Sequence, residues 1–223
     1  MLNNQKVAYF LDFANHHPES TKADIETLCA SVLKYGFHSA FVNPCWVRLA
    51  KILVNKKASV GTVVSFPLGQ DNTEAKIAAC CELAKKGVDE LDISTNVGWL
   101  KEGKSELYFK ELKRITQKVK EKRSAIIVKF IIETGLLTND EIKQASLLVL
   151  KSKADFVKTC SGMGPRGARI SDVKIIKQVV GDKIKIKVAG GIHNFKQVKE
   201  FLAAGVNRIG TSKAIEIVTA LSK

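Results

Sequence analysis

Ala154-Asp155-Phe156-Val157-Lys158-Thr159-Cys160-Ser161-Gly162 is a short apolar run that ends in a lysine and a small polar cluster. Met163-Gly164-Pro165-Arg166-Gly167 then breaks it into a flexible turn before a periodic segment resumes near Ser171. In α/β proteins a parallel strand of this form delivers its last side chains to the mouth of the sheet or barrel, where active sites sit. A lysine buried there is costly unless its amine is used. The alternative is a lysine whose stem packs while its amine leans into solvent.

The pattern recurs along the chain. Strands are expected near 7–13, 39–44, 61–66, 89–95, 124–133, 154–160, 184–190 and 207–211. Helices are expected near 21–35, 45–57, 72–87, 105–122, 138–152, 171–181, 194–204 and 212–222, with Thr21, Thr138, Ser171, Asn194 and Ser212 as N-caps. Thr138 and Glu141 have capping-box spacing. No Pro/Gly/Ser-rich linker interrupts the alternation, so a single domain over 1–223 is expected. Eight βα units in 223 residues predict a (β/α)8 TIM barrel rather than a doubly wound sheet. The first strand is not followed by GxGxxG, which weakens a dinucleotide-binding alternative.

Composition narrows the chemistry. With 45% hydrophobic residues the chain reads as globular, and neither a membrane-spanning run nor a signal-peptide layout is present, so a cytoplasmic protein without membrane partners is expected. Cys29, Cys45, Cys80, Cys81 and Cys160 form no CxxC pair, and His16, His17, His38 and His193 form no HExxH motif. Reduced thiols and a reaction without metal or cofactor are expected. The net charge of +14, from 36 Lys and Arg against 22 Asp and Glu, raises nucleic acid or an anionic small molecule as partners. Its lysines are spread along helices with few aromatics between them, which reads as a solvated surface rather than a nucleic-acid patch.

Strand ends place Asp12, Asp92, Lys129, Glu133, Lys158 and Lys187 toward the barrel mouth. Residues two apart share a face: Phe156 with Lys158, Glu90 with Asp92, Lys185 with Lys187. Val157, Leu91, Ile93, Ile184, Ile186 and Val188 fall opposite and suit the layer beneath the helices, so the charged sets point inward. A lysine beside a second cation in a desolvated pocket has a lowered pKa. Lys187 is thus expected to depress Lys158, freeing an amine that forms a Schiff base, with Asp92 and Lys187 moving protons. The bland alternative is an Asp-Lys-Lys ion network that only orients strands. Val188-Ala189-Gly190-Gly191 after strand seven and Ile209-Gly210-Thr211-Ser212 after strand eight predict a phosphate site of the kind barrels build there, with Ser161 and Gly162 adding donors.

With these residues in place the chain resembles the deoxyribose-phosphate aldolase family. The likeness runs through Leu11-Asp12-Phe13, Phe41-Val42-Asn43-Pro44, Val64 to Gly69, Val88 to Asp92, Lys129 to Thr134, Ala154 to Gly162, Lys187 to Ile192 and Arg208 to Ser212. The resemblance implies a class I aldolase that reversibly cleaves 2-deoxy-D-ribose 5-phosphate to acetaldehyde and D-glyceraldehyde 3-phosphate, a step of deoxyribose catabolism. By position it makes Lys158 the Schiff-base lysine, Lys187 the second lysine of the relay and Asp92 the proton-transferring carboxylate. It places phosphate at Gly190, Gly191, Gly210, Thr211, Ser212, Ser161 and Gly162, and sugar contacts at Asp12 and Lys129. A homodimer is compatible with the sequence, which does not itself give the assembly.

Departures from the family pattern are Ala14 for a threonine, Cys160 for a serine, Ser94 and Thr95 for more apolar residues, and Lys185 for a small one. Lys185 is expected to pair with Glu90 lower in the barrel. The changes at Ala14, Ser94 and Thr95 motivate a second reading, a sibling Schiff-base aldolase for another phosphorylated sugar. A third, motivated by the charge, is a basic barrel without chemistry.

Overall fold

The computed structural model describes residues 4–220. Its strands are β1 (Leu11–Asn15), β2 (Ser39–Val42), β3 (Ser59–Val64), β4 (Glu90–Ser94), β5 (Ile127–Ile131), β6 (Phe156–Lys158), β7 (Lys185–Ala189) and β8 (Arg208–Thr211). Each pairs in parallel with the next, and β8 pairs with β1 to close the barrel. The helices are α1 (Asn4–Ala8), α2 (Lys22–Tyr35), α3 (Val47–Val54), α4 (Thr73–Lys85), α5 (Val97–Lys101), α6 (Ser105–Lys122), α7 (Asn139–Lys151), α8 (Ile170–Val180), α9 (Phe195–Ala203) and α10 (Ala214–Thr219). Among the described residues no helix is long and apolar enough to cross a membrane.

Local chemistry sets several boundaries. Thr21 and Asp24 form a capping box at α2, Thr138 and Glu141 one at α7, and Asn194 and Gln197 one at α9. Gly36 ends α2 in the left-handed region, at φ 70°.

Four expectations change. The segment expected as strand 7–13 opens as α1, and β1 starts only at Leu11. Arg169 rather than Ser171 caps α8, and Lys213 rather than Ser212 caps α10. The stretch beginning at 45 opens with a 3-10 turn at Pro44–Trp46. Residues 221–222, expected to finish the last helix, lie outside the described residues.

Strand parity divides the interior into two layers. Leu91, Ile93, Val128, Phe130, Val157, Ile186, Val188 and Ile209 pack against the helices in the continuous core, each contributing roughly 1.5–3 kcal/mol by leaving water. The opposite faces fill the barrel with Asp12, Phe41, Glu90, Asp92, Lys129, Phe156, Lys158, Lys187 and Arg208, all buried. Register aligns the charged rungs: Asp92 opposite Lys129, Lys158 opposite Lys187, and Lys187 opposite Arg208. A second buried ion pair lies outside the barrel, where Lys76 of α4 meets Glu111 of α6 at 2.7 Å.

Candidate active site

The lower barrel carries an ion lattice. Asp12 accepts from Ser39 Oγ at 2.6 Å and from Arg208 Nε at 2.9 Å, and its Oδ2 lies 2.6 Å from Lys187 Nζ. Arg208 also reaches both oxygens of Glu90 at 3.0 Å, and Glu90 pairs with Lys129. Lys129 continues to Asp92 Oδ1 at 3.0 Å. Burial works to raise the pKa of Asp12, Glu90 and Asp92, but the surrounding cations outweigh it and hold all three below the ordinary carboxylate range, Glu90 and Asp92 well below. For Lys129 burial is likewise overcome, by Asp92, Glu90 and Asp12, and its pKa is raised.

At the top of this lattice Asp92 Oδ2 accepts from both Lys158 Nζ and Lys187 Nζ, each at 2.8 Å. The two nitrogens are therefore no farther apart than twice that distance. Lys158 is only 3% exposed, which removes the solvent-facing alternative. Lys187 Nζ sits 3.6 Å from the centroid of the Phe41 ring, a cation–π contact. Phe41 has that position because Gly61 makes room for it: a Cβ at Gly61 would come within 2.2 Å of the ring.

A lowered pKa falls on Lys187. Burial, with Lys129 and Lys158 beside it, brings the amine down to about 8 against the opposing pull of Asp12 and Asp92. The outcome is a site with one amine poised to lose its proton near neutrality and a second sharing the same carboxylate oxygen. Such a pair can attack a carbonyl and relay protons.

Both amines open into a cavity of about 230 Å³ lined by Lys158, Lys187, Phe66, His16 and the loops after β6, β7 and β8. Ser161, Gly162, Gly190, Gly191, Gly210, Thr211 and Ser212 all lie in its wall. The loops pack backbone to backbone. Gly190 has φ 87°, and a Cβ there would meet Gly162 Cα at 3.1 Å. Ser161 gives its backbone N–H to Glu133 Oε2 at 2.9 Å and its hydroxyl oxygen accepts from Met163 N at 3.0 Å, so the hydroxyl's own O–H is the donor it has left for a ligand. The Thr211 hydroxyl is taken up between Ile192 O and Lys213 N, at 2.7 and 2.9 Å.

Asp12 and Lys129, expected to touch substrate, are fully buried in the lattice and are not part of the cavity wall. Asp92 also lies beneath the floor, reached through the two lysines. Lys185 is exposed at the foot of β7, its amine 5.8 Å from the Phe156 ring, and Glu90 takes Arg208, Lys129 and His38 instead. Lys185 begins its strand, where the barrel opens to water, whereas Lys187 is one pleat deeper. Cys160 is enclosed, with Thr134 Oγ1 at 3.2 Å, and burial pushes its thiol pKa up. Among the described residues no group of three or more His, Cys, Asp or Glu side chains is arranged to hold a metal ion.

Sequence reading missed Arg208, although its parity with Gly210 on β8 was a usable signal. It also missed the brace under the β6 loop, where Arg166 binds Asp172 at 2.6 Å and Thr134 O at 2.9 Å. Nothing in the spacing of Arg166 and Asp172 foretold that contact.

A closed parallel barrel with a buried lysine at a strand end, a second lysine on the same carboxylate and glycine loops after the last two strands defines a class I aldolase. The chain belongs to the DeoC/LacD family of aldolases, whose sequence model matches residues 4–212. It is 39% identical over 218 residues to the deoxyribose-phosphate aldolase of Thermoanaerobacter sp. (strain X514), and 40% identical over 220 residues to that of Thermococcus kodakarensis, with 97% of each chain covered in both cases. Among solved structures it superposes on an aldolase designated QR15 with a TM-score of 0.90 at 33% identity, over 97% of this chain and 96% of the other. The tetrameric deoxyribose phosphate aldolase of Aeropyrum pernix shares the fold, with a TM-score of 0.91 at 24% identity over 99% and 93% of the two chains.

Proposed function

We propose that this protein reversibly cleaves 2-deoxy-D-ribose 5-phosphate into acetaldehyde and D-glyceraldehyde 3-phosphate through a Schiff base on Lys158. The observation that carries the reading is the sharing of Asp92 Oδ2 by Lys158 and Lys187 at the floor of a cavity rimmed by glycine loops. The unprotonated Lys158 amine adds to C1 of the open-chain sugar, and loss of water gives the iminium. Lys187 takes the proton of the C3 hydroxyl, the C2–C3 bond breaks, and its electron pair moves into the iminium to form an enamine. Glyceraldehyde 3-phosphate leaves, the enamine is protonated at C2, and water releases acetaldehyde and the free amine.

Asp92 holds both nitrogens and passes protons between them. Gly190, Gly191, Gly210, Thr211 and Ser212 receive the phosphate, with Ser161 and Gly162 at its edge. Asp12 and Lys129 hold the lattice beneath rather than the sugar. The reaction belongs to deoxyribose catabolism in the cytoplasm, a placement supported by five free cysteines. For the assembly a homodimer is carried forward, and sedimentation velocity separates it from a tetramer, the state named for the Aeropyrum pernix relative.

The test is borohydride reduction during turnover. Addition of substrate mass to the peptide containing Lys158 supports the reading, and an adduct elsewhere or none at all removes it. The sibling aldolase reading rests on Ala14, Ser94 and Thr95, and relative cleavage rates on deoxyribose 5-phosphate and other sugar phosphates decide between the two.

A further inference from the structure

His16 follows β1 directly and continues its side-chain alternation, so Asp12, Ala14 and His16 fall on one face at successive heights. Asp12 is locked in the lattice by Arg208, Lys187 and Ser39. Ala14 and His16 both line the reaction cavity. Ala14 presents a methyl group, and of the two histidines that follow and border the cavity, His17 is exposed with Glu19 3.8 Å from its Nδ1, whereas His16 is the more enclosed. Its ring stands in an aromatic wall, 5.3 Å from Phe66 and 6.4 Å from Phe41 between centroids. Its Nδ1 is buried and makes no hydrogen bond, a state that a neutral ring tolerates better than a charged one.

Burial, then the Lys158 ammonium and more weakly Lys187, push the imidazole pKa down to about 3, against Asp92 and Asn43 acting the other way. The ring is therefore neutral near pH 7, and carries one N–H donor and one acceptor. A neutral imidazole beside two amines can hold a hydroxyl without adding charge to the site.

Resting on the aldolase reading above, we infer that His16 hydrogen-bonds the C4 hydroxyl of the sugar phosphate and so makes the enzyme discriminate in favour of acceptor aldehydes that carry it. With C1 bound to Lys158 on β6 and the phosphate at the β7 and β8 loops, C4 is the carbon next to the phosphorylated one. In the closed barrel β1 is the neighbour of β8, which brings His16 to that end of the substrate. The C3 hydroxyl, which gives up its proton, belongs to the Lys187 side.

The experiment is the addition of acetaldehyde to D-glyceraldehyde 3-phosphate and to 3-phosphooxypropanal, the analogue lacking the hydroxyl in question. The wild-type protein favours the hydroxylated acceptor in kcat/KM. His16→Leu reduces that preference roughly tenfold, the size expected for one lost hydrogen bond, while His16→Gln, which keeps a polar group there, retains most of it. A preference unchanged in His16→Leu, including a parallel loss on both acceptors, overturns the inference and assigns the ring to packing. Borohydride trapping at Lys158 in each variant keeps the two readings apart: an adduct with an unchanged preference refutes only the role of His16. A wild-type protein that adds acetaldehyde to neither acceptor and forms no adduct refutes both.

Discussion

Lys158 and Lys187 lie level on adjacent strands and donate to the same oxygen, Oδ2 of Asp92, each across 2.8 Å. Burial, and behind it the charges of Lys129 and Lys158, lower the pKa of Lys187. Its pKa near 8 sits close enough to neutrality for a proton to move in either direction.

Lys158→Met removes the proposed nucleophile without changing the strand, and activity is expected to fall by at least about 10³-fold. Steady-state turnover on deoxyribose 5-phosphate, alongside circular dichroism to confirm folding, checks this. Retention of more than a few per cent of wild-type kcat contradicts the role.

Lys187 leaves a signature in stability. Its folded pKa, about 8, is below the ordinary lysine value of 10.5, so between those limits the unfolded chain holds a proton that the folded chain has released. Stability contributed by this group therefore rises with pH across that window, by roughly 3 kcal/mol in all. Urea unfolding of the wild type and of Lys187→Met at several pH values from 7.5 to 10.5, about the limits of that window, should show the variant lacking this rise. Parallel curves would place the lowered pKa elsewhere.

Asp92→Asn keeps the shape but takes the negative charge from between three ammonium groups. A loss of about 10²- to 10⁴-fold in kcat is expected, with a smaller change in KM, because the carboxylate acts beneath the floor rather than on bound substrate. An effect confined to KM would instead put Asp92 in contact with the sugar.

Arg208→Met leaves Asp12 and Glu90 buried with one strong partner fewer each. The expected loss is about 3–5 kcal/mol of unfolding free energy, measurable by urea denaturation. Lys76→Met, which strands Glu111 between α4 and α6 far from the cavity, is expected to cost a similar amount while leaving kcat of the folded fraction intact. A Lys76→Met protein as stable as wild type would show that the pair is dispensable.

Gly190→Ala forces a side chain into the left-handed region and against Gly162 at 3.1 Å. Displacing the β6 and β7 loops should lower kcat/KM for deoxyribose 5-phosphate about tenfold or more relative to unphosphorylated deoxyribose. Equal losses on both sugars would detach these loops from phosphate binding.

The alternation of apolar strands and amphipathic helices determined the barrel by itself, because period-two and period-3.6 burial leave few ways to cover both faces of a parallel sheet. Parity along β4, β6 and β7 likewise turned Asp92, Lys158 and Lys187 inward. Tertiary structure decided how deep each charge lies and which partner it meets. Lys185 and Lys187 share a face, yet only the second passes the rim of the barrel. Arg208, from the far end of the chain, reaches Asp12 and Glu90, and burial beside Lys129 and Lys158 lowers the pKa of Lys187. These outcomes depend on the register between eight strands and on what Gly61 lets Phe41 occupy, distances that close only when the barrel does.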